Sequence, residues 1–388
     1  MIKLKDVASY VSEKVDIGLL KVQDYITTDN MLSNRGGIII SDNLPKAEKV
    51  TKFERDDILV SNIRPYFKKI WYATFNGGCS NDVIVFRANG INSKFLYYVL
   101  SQNVFFDYMM AGANGTKMPR GNKKLIPDFE FLNFSPVQQE HISSILSRFD
   151  NLIENNQKQI KLLEEAAQRL YKEWFVDLRF HGHENVEIID GVPEGWYIDR
   201  ADHYFKITIG KTPSRAEKQW FTNSGEGTPW ISISDMGESG AFAFFSKEDL
   251  TADAIIRHNM KVVPKGTILV SFKLTVGRVV ITSSDMCTNE AIAHFHIDND
   301  LDRAYTYCYL KNFEYDSLGN TSSISKAINS KIIKSMPFIM PSGGILGQFS
   351  MIVQPILDQI ELKQKIIFRL TEARDRLLPK LMSGELEV

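Results

Sequence analysis

The sequence predicts an α+β protein: two mixed α/β domains in tandem repeat, separated by two long helices. Three observations predict it. Short apolar runs recur at a near-constant offset, two long segments carry a seven-residue apolar period, and the composition is that of an ordinary globular chain. With 44% hydrophobic and 24% charged residues, the chain falls outside the disordered, collagen-like and disulfide-scaffold classes. Its 388 residues allow two or three domains at roughly 100–200 residues each.

The first globular segment spans residues 1–140. Within it, Asp57-Ile-Leu-Val-Ser61 and Asp82-Val-Ile-Val-Phe-Arg87 read as short strands, and Ser93 to Met110 as helix. The second spans residues 181–340, with Thr267-Ile-Leu-Val-Ser271 and Ala291-Ile-Ala-His-Phe-His296 as strands and Asp302 to Asn312 as helix. The two are copies. Ile58-Leu-Val-Ser61 returns as Ile268-Leu-Val-Ser271, an offset of 210. Cys79-Ser-Asn-Asp82 returns as Cys287-Thr-Asn-Glu290, Asn122 answers Asn329 and Pro136 answers Pro341, with offsets that drift by only a few residues. Arg179 to Gly195 reads as the linker into the second copy.

The repeat continues into two helical segments, residues 141–180 and 341–388. Ile153, Ile160, Leu163 and Leu170 align with Ile360, Ile367, Leu370 and Leu377 at the single offset of 207. In the first helix Ile153, Ile160, Ala167 and Trp174 sit seven apart; in the second Val353, Ile360, Ile367, Arg374 and Leu381 do. Apolar residues at this period form a helix-pairing seam. About 40 patterned residues at about 1.5 Å each would span roughly 60 Å. Two matched seams in one chain are expected to pair with each other.

Charge and cysteine usage narrow the function. Lys+Arg is 46 and Asp+Glu is 47, a net charge of −1, so overall basicity cannot hold nucleic acid to this chain. Residues 1–140 balance at +3, residues 181–340 at −4. Three cysteines cannot build a disulfide framework, and a reducing cytoplasm is expected. The charge-free run Ser335–Leu357 is broken by prolines and glycines, too polar for a membrane helix. Gly210-Lys-Thr212 lacks the earlier glycine of a phosphate loop, since position 205 is Phe, and Pro213 follows it. His181/His183 and His294/His296 lack a third metal ligand. No catalytic residue and no metal site are expected.

The basic residues are more informative once located. Ala111 to Pro127 contains no Asp or Glu but carries Lys117, Arg120, Lys123 and Lys124, with Asn122 among them. The matching stretch, Leu318 to Leu357, is also acid-free and carries Lys326, Asn329 and Lys331. Arg64, Lys68 and Lys69, interleaved with Tyr66, Phe67 and Trp71, form a second cluster, answered by Lys273 and Arg278 in the repeat. Lys and Arg meet phosphates, while Asn, Ser, Thr and Arg read base edges. These are the candidate DNA-binding residues.

Several motifs then resemble one family, the specificity subunits of Type I restriction–modification systems. Val192-Pro-Glu-Gly-Trp196 is similar to the opening of that family's target-recognition domains. Ile209-Gly-Lys-Thr-Pro-Ser214, followed by Pro229-Trp-Ile-Ser-Ile-Ser-Asp235, resembles its first strand and turn. Lys211, Ser214 and Arg215, in and beside that turn, join the DNA-binding candidates. Pro136-Val-Gln-Gln-Glu-His-Ile142, Ala167 to Phe175 and Arg374 to Leu386 resemble the junction and the ends of its two helices. The N-terminal domain departs from the pattern by starting at Ile2-Lys-Leu-Lys-Asp-Val7, without Pro-Glu-Gly-Trp.

The resemblance implies two target-recognition domains that each read half of a bipartite double-stranded DNA target, held apart by an antiparallel coiled coil. It implies docking of methyltransferase (M) and restriction (R) subunits on the helices. S-adenosylmethionine would then sit on M, ATP and Mg on R, and no cofactor on this chain. A free-standing DNA-binding regulator and a coiled-coil interaction scaffold are the alternative readings.

Overall fold

Ile58–Ser61 and Ile268–Ser271, with the same sequence Ile-Leu-Val-Ser, are strands in which every residue is buried. A run without polar alternation is what a strand covered on both faces requires. The computed structural model describes residues 1–41, 43–115, 117–189, 191–319 and 328–387. The chain divides into two units, Met1–Leu152 with Leu370–Val388, and Ile153–Arg369.

In the first unit the main sheet orders Ala8–Tyr10, Val83–Ala88, Ile58–Ser61 and Ile70–Tyr72, all antiparallel. Ile58 lies opposite Phe86 on one side and Tyr72 on the other. In the second unit Ile268 lies opposite Phe295 and Ile281, so the register is that of the first. Here Ile207–Ile209 takes the place of Ala8–Tyr10, and a fifth strand, Phe242–Ala243, adds in parallel at the edge.

The second sheets diverge. In the first unit Lys49–Phe53 pairs along Gly77–Cys79. In the second unit the matching contact shrinks to one bridge, Val263 to Met286, and Glu248–Leu250 pairs with Thr228–Ile231 instead. A short antiparallel ribbon closes each domain: Ile2–Lys3 with Glu130–Phe131, and Tyr197–Arg200 with Pro337–Met340. Each ribbon delivers the chain to the start of a long helix.

The first long helix is Pro136–Tyr171, continued by a π-helical turn at Lys172–Val176. Pro136 fits the first turn, where its missing N–H is not needed. Ser135 and Gln138 cap it reciprocally: the Gln138 side chain accepts from the Ser135 N–H at 3.1 Å, and the Gln138 N–H donates to Ser135 Oγ at 3.4 Å. The second long helix is Gly343–Met382 and runs through Pro355 and Pro379. No helix among the described residues is long and apolar enough to cross a membrane.

Both helices enter the domain cores. In the first unit Ile142 and Leu146 from one helix, and Leu378, Leu381 and Met382 from the other, join Leu4, Phe95 and Phe106, with Leu377 packed against them. In the second unit Ala167 and Tyr171, with Leu346, Phe349, Val353, Leu357 and Ile360, join Tyr305 and Phe338, and Ile160, Leu163 and Leu170 pack against that core. Ile153 is buried; Ile367 and Leu370 are half-buried. Each buried Leu or Ile contributes about 1.5–3 kcal/mol.

Two expectations need correction. Ser93 to Met110 is two helices, Ser93–Ser101 and Asn103–Ala111, parted by an extended Gln102. Ser101 Oγ donates to the Tyr97 carbonyl and the Gln102 amide to the Val99 carbonyl, so side chains take up the last carbonyls and the helix stops. Arg179 to Gly195 is more than a linker. Phe180 and Val192 are buried with Trp196 in the second core, and Ile188–Ile189 pairs with Val192–Pro193.

Candidate nucleic-acid interface

In the first domain the two basic clusters come together through the backbone. The Arg64 N–H donates to the Pro119 carbonyl at 2.8 Å, the Gly121 N–H to the Asn62 carbonyl at 3.1 Å, and Ile63 bridges Arg120. Gly121 is required there: a Cβ would meet Asn62 Oδ1 and Met109 Cε at 2.9 Å. A third loop joins them, with the Asn34 N–H on the Phe67 carbonyl and the Arg35 N–H on the Lys68 carbonyl. Asn34, Arg35, Arg64 and Lys68 all adopt positive φ, each at a cost of about 1–2 kcal/mol for a residue with a Cβ.

The individual side chains differ in availability. Lys68, Lys117 and Lys124 form no ion pair among the described residues, and Lys117 and Lys124 are exposed. Lys123 is exposed, with Nζ 3.5 Å from the Asn81 carbonyl. Arg64 is half-buried, and its Nε is buried without a partner. Arg120 pairs with Asp82 at 3.2 Å. Lys69 donates to the Thr28 carbonyl at 2.6 Å, and burial lowers its pKa despite the nearby Asp29 charge. Asn122 Oδ1 accepts from the Lys124 N–H at 3.0 Å, so that oxygen shapes its own turn.

The second domain repeats the central contact. The Ile328 N–H donates to the Phe272 carbonyl at 3.0 Å, in the place of Gly121 and Asn62. Asn329, the counterpart of Asn122, caps Ser330–Lys334 by accepting from the Ile332 N–H at 2.9 Å. Lys273 and Lys331 are exposed. Arg278 instead reaches the Ile233 carbonyl through Nη1 and fills the space beside Gly237. Lys211 donates to the His258 carbonyl at 2.7 Å. Arg215 pairs with Glu248 at 2.6 Å and lies over the rings of Phe221, at 4.2 Å, and Trp230, at 4.6 Å. Ser214 is exposed; Lys326 lies outside the described residues.

The motifs set aside on sequence have structural roles. A Cβ on Gly210 would sit 2.0 Å from Thr288 Oγ1, so this glycine allows two chains to touch. His294 is fully buried between Thr208 Oγ1 at 2.9 Å and Thr288 Oγ1 at 2.7 Å. Burial, with the His296 and Lys261 charges, lowers its pKa to about 3. Among the described residues no cluster of three His, Cys, Asp or Glu could hold a metal.

Two groups of residues escaped sequence reasoning. One is the Asn34–Arg35 loop, whose role is tertiary. The other is a half-buried network in the first unit: Arg374 Nη1 donates to Asp150 Oδ1 at 2.8 Å, and the Tyr98 hydroxyl donates to Asp150 Oδ2 at 2.5 Å. Burial works against the Arg374 charge, but Asp150 and Asp375 outweigh it and hold its pKa above the ordinary value. In the sequence Arg374 stands at a seam position of the second helix and opens the motif that resembles the family's helix end, and neither reveals its partner Asp150.

Fold and loops together define a class: a duplicated α/β domain rooted on long helices, with exposed basic residues on its loops. Residues 1–165 and 193–372 match the model of the Type I restriction modification DNA specificity domain, and the chain belongs to that family. The MjaIX Type I restriction enzyme specificity subunit of Methanocaldococcus jannaschii is 27% identical over 404 residues, covering 96% of this chain and 87% of its own. The HindI specificity subunit of Haemophilus influenzae is 25% identical over 461 residues, covering 99% and 98%. The crystal structure of a Type I restriction–modification S subunit from M. genitalium shares the fold, with a TM-score of 0.60 at 17% identity over 98% of this chain and 95% of that one.

Proposed function

We propose that this chain is the non-catalytic DNA-specificity subunit of a Type I restriction–modification enzyme. The carrying observation is repetition. Both halves match the specificity-domain family, and both build their loops on one backbone contact, Gly121 to Asn62 and Ile328 to Phe272. Each domain reads one half of a bipartite double-stranded target, with Lys and Arg on phosphates and polar loop residues on base edges.

The two long helices act as a paired antiparallel spacer. The order of their core residues supports this: Ile142 and Leu146 share a core with Leu378 and Leu381, while Tyr171 shares one with Phe349 and Val353. Helices of 36 and 40 residues, at about 1.5 Å per residue, span roughly 54–60 Å, ample to keep two reading heads about one DNA turn of 34–36 Å apart. The helices also dock M subunits and, where the system restricts, R subunits. S-adenosylmethionine belongs to M, and ATP with Mg to R. M flips the target adenine because its reacting atom is inaccessible inside the stack. The assembly works in the cytoplasm, in agreement with three free, buried cysteines.

The test is co-expression with the cognate M subunit, followed by methylation sequencing of host DNA. A bipartite methylated-adenine motif that depends on this chain is the expected result. A complex that forms and writes no motif defeats the proposal and favours a scaffold.

A further inference from the structure

The Pro65–Phe67 turn of the first domain holds two aromatic rings in solvent. Tyr66 is 46% exposed and Phe67 37%, with ring centroids 4.7 Å apart. Neither ring belongs to a core cluster. The turn is nevertheless held firmly: Arg64 and Lys68, at its two ends, have φ of 48° and 52°. The loop braced against it contributes Asn34 and Arg35, at 54° and 62°. Four of the eight non-glycine residues with positive φ among the described residues therefore meet at this one turn. Such backbone persists only where the surroundings over-determine it, and it gathers at binding sites. Arg35 ties the bracing loop to the helices behind it through the Ser101 carbonyl and, at 2.7 Å, Asn103 Oδ1.

Charge identifies the occupant. Lys68 flanks the rings, and the segment hydrogen-bonded to Arg64 carries Lys117, Lys123 and Lys124 with no acid between Ala111 and Pro127. The acid beside this segment, Asp82, is already matched to Arg120. Exposed rings on a turn whose flank and hydrogen-bonded neighbour segment carry lysines without ion pairs among the described residues fit a polyanion with stacked, apolar parts. In duplex DNA, side chains of this kind touch thymine methyl groups or wedge between base steps.

We propose that Tyr66 and Phe67 are base-contacting residues of the first domain, entering a groove of duplex DNA while the flanking lysines hold phosphates. The inference rests on the specificity-subunit reading. In the second domain the matching turn exposes one aliphatic residue, Leu274, also at positive φ, 61°, so only one half-site should depend on aromatic contact.

The test uses the full chain co-expressed with its cognate M subunit. Tyr66→Ala/Phe67→Ala is compared with the unaltered chain by methylation sequencing and by copurification in the absence of DNA. Hydrogen exchange in the peptides of the first unit serves as the folding control and should match that of the unaltered chain. The expected result is unchanged copurification, with discrimination lost roughly tenfold or more at one or two positions of one half-site. The other half-site stays intact. An unchanged motif overturns the inference. So does uniform weakening at every position, which assigns the turn to the phosphates, and so does failed copurification, which makes the rings a protein contact. If the unaltered chain writes no motif, the specificity reading itself fails and takes this inference with it.

Discussion

The two units solve one packing problem with opposite chemistry. In the first, a domain helix and the two long helices meet at Tyr98, Asp150 and Arg374. The repeat offsets carry these three onto Cys308, Leu357 and Ala167 in the second, each 1% exposed or less. One junction is a half-buried charged network and the other is hydrocarbon and a thiol. The ion pair is not needed for packing, because the same molecule closes the equivalent junction without it. Asp150 is neutralised by a helix segment that carries Arg374, and the repeat's own alternative at that position is alanine. We hypothesise that the pair identifies which helix end belongs to the first domain, a role best attested for buried polar groups that fix register.

Three measurements probe how the two units differ. The largest effect is expected from Arg374→Ala, which leaves the half-buried Asp150 with the Tyr98 hydroxyl but no cation opposite Oδ1. About 3 kcal/mol should be lost from the first unit, the low end for a broken buried pair because Asp150 keeps partial exposure and the Tyr98 hydrogen bond, read as faster hydrogen exchange in its peptides during denaturant titration. Tyr98→Cys/Asp150→Leu/Arg374→Ala, which copies all three residues of the second unit, should recover most of that loss. Equal damage from the single and triple variants would falsify the equivalence of the two junctions.

The second measurement concerns acid. His294 occupies, in the second main sheet, the register position held by Val85 in the first. Folding holds this imidazole neutral, with its pKa lowered from 6.5 to about 3. The unfolded chain therefore binds the proton first. The stabilisation is complete above about pH 6.5 and drains away down to about pH 3. At about 1.4 kcal/mol per pH unit, some 2 kcal/mol should be gone by pH 5. Exchange in the second-sheet peptides should accelerate between pH 6.5 and 5 beyond its intrinsic pH dependence, and those of the first sheet should not. His294→Val should flatten the difference.

The smallest effect is expected from Tyr98→Phe, which removes one hydrogen bond to Asp150 and leaves the ion pair. A hydrogen bond to a charged group contributes about 1.5–3 kcal/mol, and the lower end applies because Arg374 remains. Urea unfolding followed by hydrogen exchange in the peptides of the first unit would measure it. No change would leave the hydroxyl out of the network.

Much of this architecture was legible in the sequence, and the rest was hidden for identifiable reasons. Ile58–Ser61 and Ile268–Ser271 announce themselves because buried central strands tolerate no polar alternation. The long helices show in the heptads because apolar residues must stay on one stripe. The second sheet of the second domain was not readable: its strands at Thr228–Ile231 and Glu248–Leu250 fall where the repeat loses correspondence. Basic stretches were visible, but their meeting was not, since it depends on backbone bonds between Arg64 and Pro119 and between Asn34 and Phe67. Nothing in Arg64 or Lys68 favours a left-handed backbone, so the turn that presents Tyr66 and Phe67 is imposed by its neighbours. Arg278 and Arg215 looked available as charges and are occupied, by the Ile233 carbonyl and by Glu248 with two rings. Charge is written in sequence; the partner that satisfies it is not.

The closing ribbons carry a last consequence. Ile2 lies beside Phe131, and Tyr197 beside Met340, so the two ends of each domain leave the fold as neighbours. A domain joined through adjacent ends is a cassette. A recombination event that exchanges the sequence between its ribbon strands delivers the same two ends to the same place. New surface loops can be exchanged in this way as long as the incoming sequence keeps the core residues that meet the helices, such as Phe95 and Phe106 in the first domain and Tyr305 and Phe338 in the second.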